Sequence, residues 1–385
     1  MPPVAHGIES ARVHKTIRLL ISQLISIHDE TGEFLLPLAD GRIIDTKSWN
    51  TQSWEWTHGI GLYGIWKYYQ LTADPSLLAL IEGWFKARLT ERGGTTKNIN
   101  TMAVFLTLAC LYEKTGNEAY RPWLETWAEW AMYELSRTKA GGMQHATYLT
   151  ENHQQLWDDT LMMTVMPLAK IGKIFNRPEY VNEAKRQFLI HITYLFDRES
   201  GLFFHGWEFN DDSSAGLGHN FARARWARGN SWITIVIPEF LELIEDDLSP
   251  NDPFRTHLLD ILEAQCSALT RLQEPSGMWR TLLDHPVNEG SYAEASATAG
   301  FAYGILKARR KRHLSSENSR YDDAAVNAIK AILDNVSEDG ELLNVSFGTG
   351  MGDNLQFYKD IKKTSMPYGQ AMAIMALGEF ARAFI

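Results

Sequence analysis

The 385-residue chain is short of several things, and each scarcity closes off a class of protein. It has two cysteines, Cys110 and Cys266. Both sit in apolar helical contexts, so buried free thiols are expected rather than a disulfide or thiolate metal pair. Lys and Arg number 37 against 47 acidic residues, a formal net charge of −10. Nucleic-acid phosphates demand clustered cations, so no nucleic-acid partner is expected. A short basic cluster, Lys307 to Arg312, follows a helical stretch and reads as a solvated helix C-terminus. No apolar run is long enough to span a membrane, and Met1 to Ser10 lacks an apolar signal-peptide core. The chain therefore reads as cytoplasmic, unless a leader was removed from it. Two Asn-Val-Ser sequons, at Asn335 and Asn344, bear only on a secreted form. Linkers are missing too: no Pro/Ser/Gly-rich stretch or charge block marks a boundary, so residues 1–385 read as one domain.

What is present is a repeat. Six times a Gly-containing loop with aromatic and polar side chains gives way to an apolar helical stretch. The loops are Asp40 to Thr57, Glu91 to Ile99, Lys139 to Gln154, Asp197 to Gly229, Glu274 to Ala293 and Glu338 to Pro367. The stretches that follow are Ile60 to Tyr69, Thr101 to Tyr112, Leu161 to Ala169, Ser231 to Leu243, Ala295 to Leu306 and Ala371 to Phe380. They are apolar on nearly every side, as helices enclosed by others must be. Between them lie charged, amphipathic helices such as Pro178 to Phe196 and Arg255 to Leu272, suited to an outer layer. Six inner and six outer helices in alternation predict an all-α (α/α)6 barrel. Leu342 to Phe347 is the one stretch that reads as a short strand. In such a toroid the N-terminal ends of the inner helices share one rim, so His58, Asn100, Asp159, Arg228 and Glu294 should gather there.

Among local motifs, Trp157-Asp158-Asp159-Thr160-Leu161-Met162-Met163 is the sharpest. On a helix, Asp159 shares a stripe with Met162, Met163 and Met166. A carboxyl losing water there is expected to rise in pKa and serve as a general acid. Both aspartates can equally complement the helix dipole, and Asp158 reads as a cap or orienting group. Arg228 lies between Trp226 and Trp232 at a helix entrance: it either pairs with a carboxylate while an indole stacks on a sugar, or caps loop carbonyls. His145 and His205 fall on rim loops. No His-x-x-x-His on a helix and no Cys pair gives metal-ligand spacing, so neither metal nor cofactor is expected. Gly59-Ile60-Gly61-Leu62-Tyr63-Gly64 matches a dinucleotide fingerprint only as a string, because no strand precedes it. Close helix packing accounts for its glycines.

Taken together, Trp157-x-Asp159-Thr160-Leu161 with Met163, Trp226-x-Arg228 with Trp232, and His205-x-Trp207-Glu208 resemble the unsaturated rhamnogalacturonyl hydrolases of glycoside hydrolase family 105. More distantly they resemble the unsaturated glucuronyl hydrolases of family 88. The likeness runs from about Trp54 to the C-terminus. It implies an (α/α)6 barrel that hydrates the C4=C5 double bond of a terminal unsaturated uronic acid, after which the hemiketal opens and the glycosidic bond is lost. On this resemblance Asp159 protonates C4 and its carboxylate then activates the water that adds at C5. His145 and His205 assist or bind, Arg228 meets the uronate, and Trp157, Trp226 and Trp232 form the sugar platform; from their place on the same rim, His58 and Asn100 are also expected to bind substrate. One departure stands out: some relatives carry a second Asp where this chain has Asn98-Ile99-Asn100-Thr101. An amide can hold a hydroxyl or a water but cannot exchange a proton near neutrality.

The expected partner is thus an unsaturated oligosaccharide such as a rhamnogalacturonan disaccharide, with the protein a monomer or homodimer. Two other readings remain at this point. An inverting glycosidase would pair Asp159 with a second carboxylate such as Glu294, and a carbohydrate-binding protein would use the same rim without catalysis.

Overall fold

A helix without a polar face is stable only when surrounded, and the six such helices of this chain form the inner wall of a closed ring. The computed structural model describes residues 4–90, 95–315 and 318–385. The first residues, Met1 to Pro3, and the head of the second loop, Glu91 to Gly94, lie outside the described residues, as do residues 316–317. The helices are α1 (Ser10–Ser26), α2 (Trp56–Thr72), α3 (Pro75–Arg88), α4 (Val104–Thr115), α5 (Arg121–Glu129), α6 (Met166–Ile174) and α7 (Pro178–Leu195). They continue as α8 (Ala227–Leu243), α9 (Pro253–Leu272), α10 (Ala295–Arg310), α11 (Arg320–Asp334), α12 (Leu355–Lys359) and α13 (Pro367–Phe384). Helices α2, α4, α6, α8, α10 and α13 are buried along most of their length. Each packs on the next, and α13 packs on α2 to close the ring. Helices α3, α5, α7, α9 and α11 lie outside the inner helix that each follows, and α1 covers α13. This is the (α/α)6 barrel that the repeat predicted.

Close approach of the inner helices has a local cause. A Cβ on Gly59 would lie 2.6 Å from the Ala103 Cβ, and one on Gly64 2.7 Å from the Ala371 Cβ. The glycines of α2 therefore let both ring neighbours come near, which is the packing role expected of them.

Strand structure comes in pieces of two to four residues, most of them in the loops ahead of inner helices. In one three-stranded antiparallel sheet, Gly206–Phe209 pairs on one side with Gln155–Trp157 and on the other with Gly218–His219. Leu342 to Phe347, expected as a strand, contributes isolated bridges at Leu342 and Ser346 instead.

Two expectations about side chains have different outcomes. Cys110 and Cys266 are buried free thiols, as anticipated. The Lys307 to Arg312 cluster is not a solvated terminus. Lys307 is buried and pairs with Glu239 and Glu242, Arg309 pairs with Asp322, and Arg310 pairs with Glu379. Charge spacing along one helix gives no sign of carboxylates that arrive from neighbouring helices. No helix among the described residues is long and apolar enough to cross a membrane.

Candidate active site

The chain ahead of α6 is irregular for a reason visible in its sequence. Pro167 has no N–H, and its ring crowds the carbonyl four residues earlier. Leu161–Val165 is accordingly wound as a π turn, a distortion common at functional sites. Asp158 and Asp159 sit immediately before it. The strand pairing of Gln155–Trp157 with Gly206–Phe209 continues as a bond from the Asp158 N–H to the His205 carbonyl, 3.0 Å long. That register lays His205 alongside Asp159.

Two side chains bond one carboxylate directly, and two more back them. Asp159 Oδ1 accepts the Trp232 Nε1–H of α8 at 3.1 Å, and Oδ2 lies 3.2 Å from His205 Nε2. The other nitrogen of His205, Nδ1, is 2.8 Å from the hydroxyl of Tyr358 in α12. His145 stacks face to face on Trp157, ring centroids 4.1 Å apart and 8° from parallel, and its Nδ1 is 2.8 Å from the Thr160 hydroxyl. Burial holds His145 neutral, its pKa lowered to about 3.

The electrostatics differ from the sequence expectation. Burial alone pushes the Asp159 carboxyl up, as anticipated, but the His205 hydrogen bond and charge outweigh it and bring the pKa down to about 2. Its neighbour Asp158 moves the other way: burial, then the adjacent Asp159 charge, raise it well above the ordinary carboxyl range. At rest Asp159 is the ion and Asp158 is the acid. Spacing along the helix registered only loss of water; the imidazole that stabilises the ion arrives from 46 residues away.

Beside this cluster opens a cavity of about 490 Å³. Its walls include Trp56, Trp157 and Phe347, the amides of Asn100, Asn152 and Gln155, the Tyr148 ring and Glu55. Asp159 stands next to this wall, with 12% of its side chain exposed. Trp56 meets Trp232 edge-on at 6.1 Å, so the cavity lining touches the indole that holds the carboxylate. Burial raises the Glu55 carboxyl to about 8 despite the Trp56 N–H and the Asn100 side chain that it bonds. It is therefore a neutral acid at pH 7. A larger hollow of about 770 Å³, lined by Leu306, Arg310 and Phe384 among others, lies at the opposite end of the ring. Its Arg309 and Arg310 are engaged in ion pairs with Asp322 and Glu379. The smaller cavity is the better candidate because aromatic faces, amides and shifted carboxyls meet there.

The expected site residues divide accordingly. Trp157 and Asn100 line the cavity, while His205 and Trp232 contact Asp159 directly. Trp232 and Trp226 are fully buried, so they are supports rather than an open sugar platform; the Trp226 ring lies 4.4 Å from that of His205. Arg228 is also fully buried. Its guanidinium bonds the carbonyls of Ser346 and Phe347 and the Thr349 hydroxyl, and it lies 3.7 Å from Glu294. It braces the loop that lines the cavity instead of pointing into it, the carbonyl-capping alternative of the two read from sequence. His58 does not line the cavity but stands behind it: it closes a capping box with the lining Glu55 and bonds the Ser48 carbonyl. Glu294 is spent as well, accepting from Ser296, the Ala297 N–H and the Ser346 N–H with no exposed surface. No room remains there for the water that an inverting pair needs.

Glu55, Tyr148 and Tyr358 were missed by sequence reasoning. Glu55 stands in Trp54-Glu55-Trp56, just before a helix, where a carboxylate is ordinarily a cap; only its burial marks it out. Asp158, Asp159 and His205 are the group, among the described residues, whose ligand atoms all lie within 4.8 Å of one another and could hold a metal ion. Asp159 and His205 already bond each other, an arrangement suited to proton handling.

The chain compares closely with known proteins. A family model described as Glycosyl Hydrolase Family 88 matches residues 26–384. The unsaturated rhamnogalacturonyl hydrolase YesR of Bacillus subtilis is 31% identical over 330 residues, covering 85% of this chain and 89% of that protein. A crystal structure from Salmonella enterica, described as a possible member of the GH105 family, superposes with a TM-score of 0.93 at 57% identity, covering 99% of this chain and 97% of the other. A Klebsiella pneumoniae structure of the same description gives 0.92 at 57% identity, covering 100% and 96%.

Proposed function

From the fact that this chain belongs to glycosyl hydrolase family 88, and is a glycoside hydrolase of the unsaturated rhamnogalacturonyl and glucuronyl hydrolase group, we propose that it hydrates the C4=C5 bond of a terminal unsaturated galacturonyl residue joined to rhamnose. YesR supports the choice of a rhamnogalacturonan fragment. The observation that carries the chemistry is a single carboxylate, Asp159, held by Trp232 and His205 beside an aromatic cavity.

The alkene carbon C4 takes a proton from Asp159, the ring oxygen stabilises the positive charge left at C5, and water adds there as Asp159 accepts its proton. The resulting hemiketal opens and releases the leaving sugar. Asp159 is ionised at rest, so it must be charged with a proton once substrate is bound. The substrate's own carboxylate and the displacement of water both push in that direction. Among the described lining residues there is no Lys, Arg or His. The uronate is therefore met by neutral donors, the amides of Asn100, Asn152 and Gln155 and the protonated Glu55, and turned away from the lining carboxylate of Asp353.

The test is a spectrophotometric screen of lyase-made unsaturated disaccharides differing in uronate and leaving sugar. Loss of the conjugated-uronate absorbance, fastest with the galacturonyl-rhamnose substrate, is the expected result. Cleavage of saturated glycosides with the alkene substrates left intact sinks the proposal.

A further inference from the structure

Asp158 is fully buried, and neither of its carboxyl oxygens meets an N–H or hydroxyl of the protein. An isolated buried carboxylate is among the most costly groups a protein can hold. A carboxyl oxygen of Asp158 lies within 4.8 Å of one of Asp159, and two buried carboxyls that close favour one proton between them, because two like charges side by side disfavour each other. The surroundings are shaped for this contact. Gly229, in the first turn of α8, faces the carboxyl so closely that a Cβ there would fall 2.2 Å from Asp158 Oδ2. The charged or titratable groups facing the pair are His205 from the Phe204–Gly206 segment, His145 from the loop before it, Arg228 from α8 and Tyr358 from α12.

We propose that Asp158 and Asp159 act as one acid holding a single proton, with Asp158 storing the proton that Asp159 hands to the substrate. This rests on the hydration reaction proposed above. In the resting pair the proton is on Asp158 and the charge on Asp159. When substrate binds, the proton crosses to Asp159; the Arg228 charge and the N-terminus of α8 offset the transient charge on Asp158. The alkene π pair then takes that proton to form the C4–H bond. Water's lone pair forms the C5–O bond while its proton passes to Asp159, and from there back to Asp158, so the pair ends as it began. Asp158 touches no substrate atom and is a positioning residue that works through its neighbour. The arrangement resolves an otherwise awkward fact: the group beside the cavity is an ion at rest, yet the reaction begins with proton donation.

Asp158→Asn keeps the shape and gives Asp159 a fixed N–H donor, but it cannot deliver a proton. The expected result is a fall in kcat of about tenfold or more with KM little changed. The alkaline limb of the kcat–pH profile should move to lower pH, since the lone Asp159 is now held more firmly as the ion. A profile that overlays the wild type, whether activity is kept or uniformly reduced, overturns the proposal and assigns Asp158 a structural role. If the variant does not fold, infrared titration in a Glu55→Gln background, which removes the other buried neutral carboxyl, decides: a buried protonated carboxyl band should persist through neutral pH and shift when Asp159→Asn is added to the folded protein. Absence of that band refutes the shared proton. Lack of any turnover by wild-type protein on unsaturated disaccharides would instead refute the hydration reading, and the infrared result would still stand.

Discussion

Trp232 and Asp159, 73 residues apart in the chain, meet at 3.1 Å through a single indole N–H on a carboxylate oxygen. The indole is fully buried on α8, and the carboxylate stands just ahead of the π turn that leads into α6. The bond favours the charged form of Asp159 and fixes its direction. Trp232→Phe keeps most of the ring and removes the donor. A charge-assisted bond is worth about 1.5–3 kcal/mol, so kcat should drop by about tenfold or more, and the Asp159 pKa should rise. The kcat–pH profile is the measurement; an unshifted profile would show that the N–H does not hold the ion.

Asp159→Asn should abolish turnover, by a factor on the order of 10² to 10⁴ for loss of a general acid and base. Far-UV circular dichroism should be unchanged. Activity within a few-fold of wild type would remove Asp159 from the chemistry.

Glu55 gives the cleanest pH signature. Its carboxyl is raised to about 8 by burial, so it donates a hydrogen below that pH and carries charge above it. A uronate substrate is repelled by the charged form. KM should therefore rise as pH passes through about 8, and Glu55→Gln should flatten that rise while keeping a neutral donor. Stability follows the same sign. An unfolded Glu loses its proton near 4.5, so the folded protein is favoured most below that value and loses this contribution as pH climbs to about 8. Glu55→Gln should lessen the decline in Tm between those limits; an identical decline would refute burial as the cause.

Arg228 should behave as a brace. Arg228→Leu leaves the fully buried Glu294 without its cation and frees the Phe347–Thr349 loop. Breaking such a pair costs about 3–5 kcal/mol, visible as a lower denaturation midpoint. Undiminished stability with a large increase in KM alone would return Arg228 to direct substrate contact.

How far the sequence reached can be followed residue by residue. The apolar faces of α2, α4, α6, α8, α10 and α13, repeated six times behind polar loops with amphipathic helices between, pointed to the ring, because helices without a polar side must be enclosed by others. The glycines at 59 and 64 announced the close contacts of α2, and the Trp157 and Trp226 motifs fall where His205 and Trp232 meet Asp159. What the sequence could not decide was the state and access of each side chain, since both depend on groups brought in from elsewhere. Arg228 reads equally as a carboxylate binder or as a cap on loop carbonyls until Glu294 and the Ser346–Thr349 loop close over it. Asp158 and Asp159 are chemically identical neighbours. Only the arrival of His205 and Trp232 on one of them, and of no donor on the other, makes one an ion and the other an acid.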